Sequence, residues 1–130
     1  AKILRNMRGL QKQYGMAIML ITHDLGVIGQ MADEVLVMYV GKKVEQAGVR
    51  NIFHNPLHPY TQGLIKSIPL IGLRGKKLLP ITGSVPSPYN LPKGCYFAPR
   101  CPSAMDRCRQ EAPSEVEAEP GHLVSCWLYK

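Results

Sequence analysis

Nine of the eleven prolines fall between residues 56 and 102, at positions 56, 59, 69, 80, 86, 88, 92, 99 and 102. Proline has no backbone N–H to donate and a fixed φ, so such a stretch cannot be a run of long helices or central strands. Only residues 60–68 keep helical spacing there, through Tyr60, Leu64, Ile65 and Ile68. From 69 to 94, prolines and glycines recur at turn-forming intervals around the basic cluster Arg74, Lys76 and Lys77. This is extended, loop-rich chain with too few periodic apolar residues for an ordinary core. Residues 95–127 then hold all four cysteines. A loop-rich segment of this size needs a staple, and the cysteines are the obvious one.

Before Asn55 the pattern is different. Ile3, Met7, Leu10 and Tyr14 share one helical face, and Gly15 stands where a helix-ending glycine belongs. Ala17–Thr22 is short and apolar without alternation, which suits a strand buried on both faces of a parallel sheet. Asp24 is placed to cap a second helix, Leu25 to about Ala32. Val35–Val40 reads as another fully apolar strand, followed by a tight Gly41-Lys42-Lys43 turn and Lys43–Ala47 returning as the second arm of a hairpin. Helix, strand, helix and strand in this order are the rhythm of an α/β sheet, but too few strands are present to close one. The fold expected is therefore α/β: residues 1–54 as the tail of a larger α/β domain, and residues 55–130 as a Cys-stapled extension.

With 45% hydrophobic and 19% charged residues, the chain is not of disordered composition. Its longest apolar runs, Met16–Ile21 and Val35–Val40, are six residues each, far below the roughly 18 of a membrane span. The net charge of +7 is uneven: residues 1–60 carry seven basic and four acidic side chains, 61–110 eight and one, and 111–130 one and four. An anionic partner is thus to be sought at the middle of the chain. No export signal is visible near Ala1, which makes a reducing compartment the expectation and metal ligation a better use of four cysteines than disulfides.

His23 follows the first apolar run and precedes a helix start, where open α/β sheets bind ligands. An imidazole there can donate to a phosphate oxygen or orient an attacking water; the alternative is a histidine satisfied by local backbone. The surrounding string is more specific. Met19-Leu20-Ile21-Thr22-His23-Asp24-Leu25, then Ala32-Asp33-Glu34-Val35, then Gly41-Lys42-Lys43-Val44-Glu45 resembles the switch-histidine region of ABC-type ATPases. Asn55-Pro56-Leu57-His58-Pro59-Tyr60-Thr61 is similar to the His-Pro-Tyr signature opening the C-terminal extension of ATP-binding subunits from oligopeptide and dipeptide importers. Gly83-Ser84-Val85-Pro86 and the string Gly94 to Pro102 resemble that extension too.

The resemblance implies the tail of a P-loop NTPase-type nucleotide-binding domain, followed by the importer extension. It implies His23 as the switch histidine touching the γ-phosphate, with ATP and magnesium bound in the intact subunit. It also implies a second ATP-binding subunit, transmembrane permease subunits and a peptide-binding protein as partners, no nucleic acid, and a peripheral place on the cytoplasmic face of the membrane. Asp24 is better read as a helix cap than as a chemical group. For His58 and Tyr60 a turn with Pro59 and helix packing are expected. The 130 residues contain no Gly-x-x-x-x-Gly-Lys-[Ser/Thr], no Leu-Ser-Gly-Gly-Gln and no apolar strand ending in Asp-Glu. Phosphoryl transfer therefore has no apparatus within them, and the chain alone is expected not to hydrolyse ATP.

Cys95, Cys101, Cys108 and Cys126 are spaced C-x5-C-x6-C-x17-C. Structural zinc sites usually include a tighter pair, whereas a polynuclear cluster accommodates wider loops between ligands. Lys93, Arg100, Arg107 and Arg109 lie near enough in sequence to offset a tetrathiolate charge. The resemblance points to a [4Fe–4S] cluster; zinc, free thiols and disulfides stay open. His122 is expected to face solvent, and Glu111, Glu115, Glu117 and Glu119 to form a solvated acidic face. The alternative function is a small metal-stapled nucleic-acid-binding module, using the basic middle segment with Tyr89, Tyr96, Phe97 and Trp127 as stacking groups.

Overall fold

The computed structural model describes residues 2–68 and 80–130, so the basic cluster Arg74, Lys76 and Lys77 lies outside the described residues. The chain forms two compact units, Ala1–Asp33 and Glu34–Lys130, and mixes helix with sheet.

In the first unit, α1 spans Lys2–Tyr14 and gives way at Gly15, whose φ of 61° is the left-handed conformation that glycine adopts without strain. Helix α2, Leu25–Met31, starts at Asp24, whose carboxylate accepts from the Gly26 and Val27 N–H groups at 2.8 and 3.2 Å. The cap reading of Asp24 thus holds. Neither helix buries a residue. The buried strand expected at Ala17–Thr22 does not form: the segment carries no strand hydrogen bonds, and Met19 and Ile21 are 87% and 89% exposed. An apolar run becomes a strand only when a neighbour takes up its N–H and C=O groups, and no described strand lies alongside it.

The second unit is built on a four-stranded sheet, β1 (Glu34–Tyr39), β2 (Lys42–Gly48), β3 (Val116–Glu119) and β4 (His122–Val124), in the order β1-β2-β4-β3. Every neighbouring pair is antiparallel, the expected β1–β2 hairpin included, and no described pair gives the parallel sheet suggested for Ala17–Thr22. Accordingly β1 is not buried on both faces: Val35 and Tyr39 point into the core, while Leu36 and Met38 are about half exposed. An antiparallel sheet can leave one face wet, so an unbroken apolar run still alternates in burial. Val40 and Gly41 link β1 to β2 with φ of 46° and 74°, two consecutive positive values that match a tight hairpin to strand twist. The C-terminal hairpin then docks on β2, with Glu45 opposite Val124 and Gln46 opposite Leu123.

Helix α3 (Val49–His54) follows β2, and α4 (Pro59–Lys66) opens with proline in its first turn, where the missing N–H costs nothing. A single turn at Ala98–Arg100 and the short α5 (Asp106–Gln110) complete the unit. No described helix is long and apolar enough to cross a membrane.

Among the described residues, buried apolar side chains gather in small clusters. Tyr39, Val44 and Phe97 form the first, with Cys95 and Cys101 packed against it. Leu57, Val124 and Cys126 form the second, and Ala98, Cys108 and Trp127 the third, again with Cys95 alongside. Each cluster therefore contains or touches a cysteine.

Candidate functional site

The four cysteines, drawn from loops, from α5 and from the C-terminal strand exit, line one cavity together with His58, Phe97, Ala98 and Trp127. Its volume is about 10 Å³, room for no more than one water, so it is no peptide or nucleotide pocket. All four thiols are free. The backbone is shaped around them. Cys95 N–H donates to the Cys108 carbonyl at 2.8 Å, and a side chain at Gly94 would run into that same carbonyl. Only glycine lets the backbones around Cys95 and Cys108 lie so close.

Burial pushes the Cys95 and Cys101 thiols up, and Cys126 up to about 11; neighbouring cysteines add to the effect in each case. Backbone N–H groups oppose it: those of Phe97 and Ala98 at Cys95, of Ser103 at Cys101, and of Leu128 at Cys126. Donors two and three residues beyond a cysteine are what a thiolate ligand uses to spread its charge. The sequence carried no signal of them beyond the prolines at 99 and 102 that shape the turns.

Among the described residues, however, no group of three or more His, Cys, Asp or Glu is close enough to hold a metal ion, so the cysteines as they stand support neither zinc nor the iron–sulfur expectation. Arg100 is held by the Ile81 and Thr82 carbonyls, each at 3.0 Å, and by the Tyr39 hydroxyl at 3.3 Å. Arg107 lies 3.5 Å over the Trp127 ring and pairs with Glu111. Trp127 in turn donates to the Glu111 carbonyl at 3.0 Å.

Beside this cavity stands the turn His58-Pro59-Tyr60. His58 caps α4 through its ring, Nδ1 accepting the Tyr60 N–H at 3.0 Å. Tyr60 packs against Tyr39 and Phe97, with ring centroids 4.7 and 5.5 Å apart, so the turn and packing roles expected for the pair are present. What holds the turn was not legible. Glu45 is fully buried and accepts from Leu57 N–H at 2.7 Å, from His58 N–H at 2.9 Å and from His122 Nε2 at 2.7 Å. His122 is thus wholly buried rather than solvent-facing, a correction that follows from its strand pairing opposite β2. The acidic run is also partly engaged: Glu115 pairs with Lys43, Glu117 accepts from Gly121 N–H, and Glu119 from the Asn55 amide.

Burial lowers the pKa of His58 from 6.5 to about 4, against an opposing pull from Glu45. Its folded value lies below its unfolded one, so between pH 6.5 and 4 the unfolded chain takes up a proton that the folded chain refuses. The associated stability is present above pH 6.5 and is lost as pH falls to about 4. Two and a half units correspond to about 3 kcal/mol. Urea midpoints at pH 7 and pH 4.5 should fall more steeply for the parent than for His58→Gln; equal slopes would exclude this origin.

His23 lies in a bend between Thr22, whose hydroxyl accepts the Asp24 N–H at 3.0 Å, and the capped start of α2, and it is exposed. It belongs to the other compact unit from the cysteines.

The second unit thus sets a cysteine-lined cavity beside a histidine-capped proline turn that follows a short antiparallel hairpin. Residues 44–108 match the family described as the oligopeptide/dipeptide transporter, C-terminal region, and the chain belongs to that family. It is 52% identical over its full length to the oligopeptide transport ATP-binding protein AppD of Bacillus subtilis (strain 168), covering 40% of that protein. It is 44% identical to the dipeptide transport ATP-binding protein DppD of the same organism, over 98% of this chain and 38% of the relative. Against the oligopeptide transport ATP-binding protein OppD of Salmonella typhimurium it is 42% identical, with the same shares of 98% and 38%. The chain thus spans about two fifths of the length of these relatives.

Proposed function

We propose that this chain is the C-terminal segment of an ATP-binding subunit that couples ATP hydrolysis to the import of oligopeptides or dipeptides. The observation that carries this reading is the similarity, 42–52% over nearly all of the chain, to ATP-binding proteins of peptide transport. Residues 1–54 would complete an ABC nucleotide-binding domain of P-loop type, and 55–130 would form the extension. The partners are a second ATP-binding subunit, the permease subunits and a peptide-binding protein, with the subunit held peripherally on the cytoplasmic face of the membrane.

The residues of this chain do not make an ATP and magnesium site, since they include neither a phosphate loop nor a metal-holding carboxylate at a strand end. What they supply to one is His23. Its exposure after Thr22 leaves the imidazole available to donate to a phosphate oxygen or to orient water. In a full-length subunit, His23→Ala is expected to lower ATP turnover and peptide uptake at least ~100-fold, the lower range for a positioned acid–base group, with nucleotide affinity nearly unchanged. Turnover at the parent rate would reduce His23 to a structural residue and sink its assignment.

The four cysteines are proposed as ligands of a [4Fe–4S] cluster. Four free thiols share one cavity, and three of them receive backbone N–H groups. The iron–sulfur group would stabilise thiolates that burial otherwise disfavours, and its role would be structural before redox. The nucleic-acid reading is not favoured, because Phe97 and Trp127 are buried and offer no open stacking face.

A further inference from the structure

No Asp or Glu occurs from Gln46 to Met105, a stretch that carries seven Lys and Arg side chains. Residues of this stretch line an open groove of about 420 Å³, a size within the range of ligand-binding clefts. We propose that the groove binds an acidic, extended peptide segment of a partner protein, with Lys66 and Arg100 taking its carboxylates.

Three elements build the groove: α4, the segment 80–83 and the turn 97–102. They approach closely because two positions carry no side chain. A Cβ at Gly63 would stand 2.7 Å from Cγ1 of Ile81, and one at Gly83, where φ is 79°, would stand 3.3 Å from Cγ of Arg100. Arg100 fixes its wall by donating to the Ile81 and Thr82 carbonyls and to the Tyr39 hydroxyl, three of its five N–H groups. Two N–H groups and the positive charge remain for a ligand, since Arg100 has no carboxylate partner among the described residues. Lys66 ends α4 on another wall, exposed and likewise without an ion pair among the described residues. Between them, Gln62 spends its amide N–H₂ on the Pro56 and Leu57 carbonyls, which leaves Oε1 to accept a peptide N–H.

The rest of the surface decides which anion fits. Pro80, Ile81, Pro99 and Pro102 make the walls largely apolar, and proline offers no N–H to a bare phosphate. A peptide covers such walls with its own side chains, which a hydrated inorganic ion cannot do. A lipid surface is broad and meets protruding ground, not a recessed cleft. Pairing of a guanidinium with a carboxylate gives the charge contact direction as well as attraction.

The whole chain is titrated with the fluorescein-labelled peptide Glu-Leu-Glu-Pro and with its neutral counterpart Gln-Leu-Gln-Pro, and binding is read by anisotropy. Lys66→Glu should weaken binding of the acidic peptide at least about tenfold, and so should Thr82→Trp, which fills the groove without changing charge. Arg5→Glu makes the same charge change on α1, in the other unit, and should stay within about twofold of the parent. Lys66, Thr82 and Arg5 are all exposed, so the three variants should melt with the parent. Absence of binding, equal binding of the two peptides, or equal losses in Lys66→Glu and Arg5→Glu would overturn the groove as the site. Displacement of the peptide by inorganic phosphate at equal concentration and ionic strength would overturn it in favour of a bare-anion site. Displacement by phosphatidylglycerol vesicles would overturn it in favour of a membrane contact.

Discussion

Replacing Cys108 with serine is expected to remove the bound iron and sulfide and to lower the melting temperature of the chain more than any other single change. Anaerobically purified parent should be brown, absorbing broadly near ~400 nm as cysteine-ligated iron–sulfur centres do, and Cys108→Ser should be colourless. The size of the effect follows from the architecture. Among the described residues of this unit the buried apolar side chains gather in small clusters, each containing or touching a cysteine. Fixing the backbone costs on the order of 1–2 kcal/mol per residue, and a loop-rich unit recovers little of that from apolar burial. Bonds to the proposed metal group would supply the difference, because ligand binding and folding would then be a single event.

Serine preserves the shape of the third cluster, in which Cys108 packs with Ala98 and Trp127, so a packing defect is not what the variant tests. A Cys108→Ser chain that keeps its iron and melts with the parent would remove Cys108 from the ligand set. A colourless parent carrying one zinc per chain would refute the cluster while leaving the convergence of the four sulfurs in place.

How much of this was legible before any coordinates is decided by the range of the signal. Helix α1, its end at Gly15, the Asp24 cap, the β1–β2 hairpin and helix α4 are all local, and composition at successive positions announces each of them. The errors arose where a partner decides. Val35–Val40 alternates in burial only because its neighbour is antiparallel, and Ala17–Thr22 has no ladder because no described strand adjoins it. His122 follows Gly121 in a polar stretch and looks solvated; pairing of β4 with β2 sends it under the sheet to Glu45, seventy-seven positions away in sequence. The cysteine spacing did suggest a common centre, yet the sulfur-directed N–H groups and the proximity of His58 depend on loop conformations that spacing cannot encode. Glu45 itself sits in a Gly-Lys-Lys-Val-Glu string that reads as an exposed hairpin arm, and nothing local marks it as the one carboxylate with no solvent exposure.

That carboxylate is the second place where a large effect is expected. Glu45→Ala should destabilise the Glu34–Lys130 unit by about 3–5 kcal/mol, because it removes the acceptor of three buried hydrogen bonds. The loss is large because three donors are orphaned at once: the N–H of Leu57, the N–H of His58 and Nε2 of His122. Each sits in a buried residue with no water to replace the acceptor, and an unmet buried donor costs on the order of 1–3 kcal/mol. Glu45→Gln keeps one oxygen but turns an amide N–H₂ toward a donor, so it should cost roughly half as much. The carboxylate also joins β2, the proline turn and β4, so the pairing can be isolated by a double-mutant cycle with His122→Phe. A coupling above about 1 kcal/mol in urea unfolding is expected for residues sharing one network. Additive effects would mean that His122 is merely packed beside Glu45, and a Glu45→Ala chain within 1 kcal/mol of the parent would mean that the turn is held by Pro59 and the aromatic cluster alone.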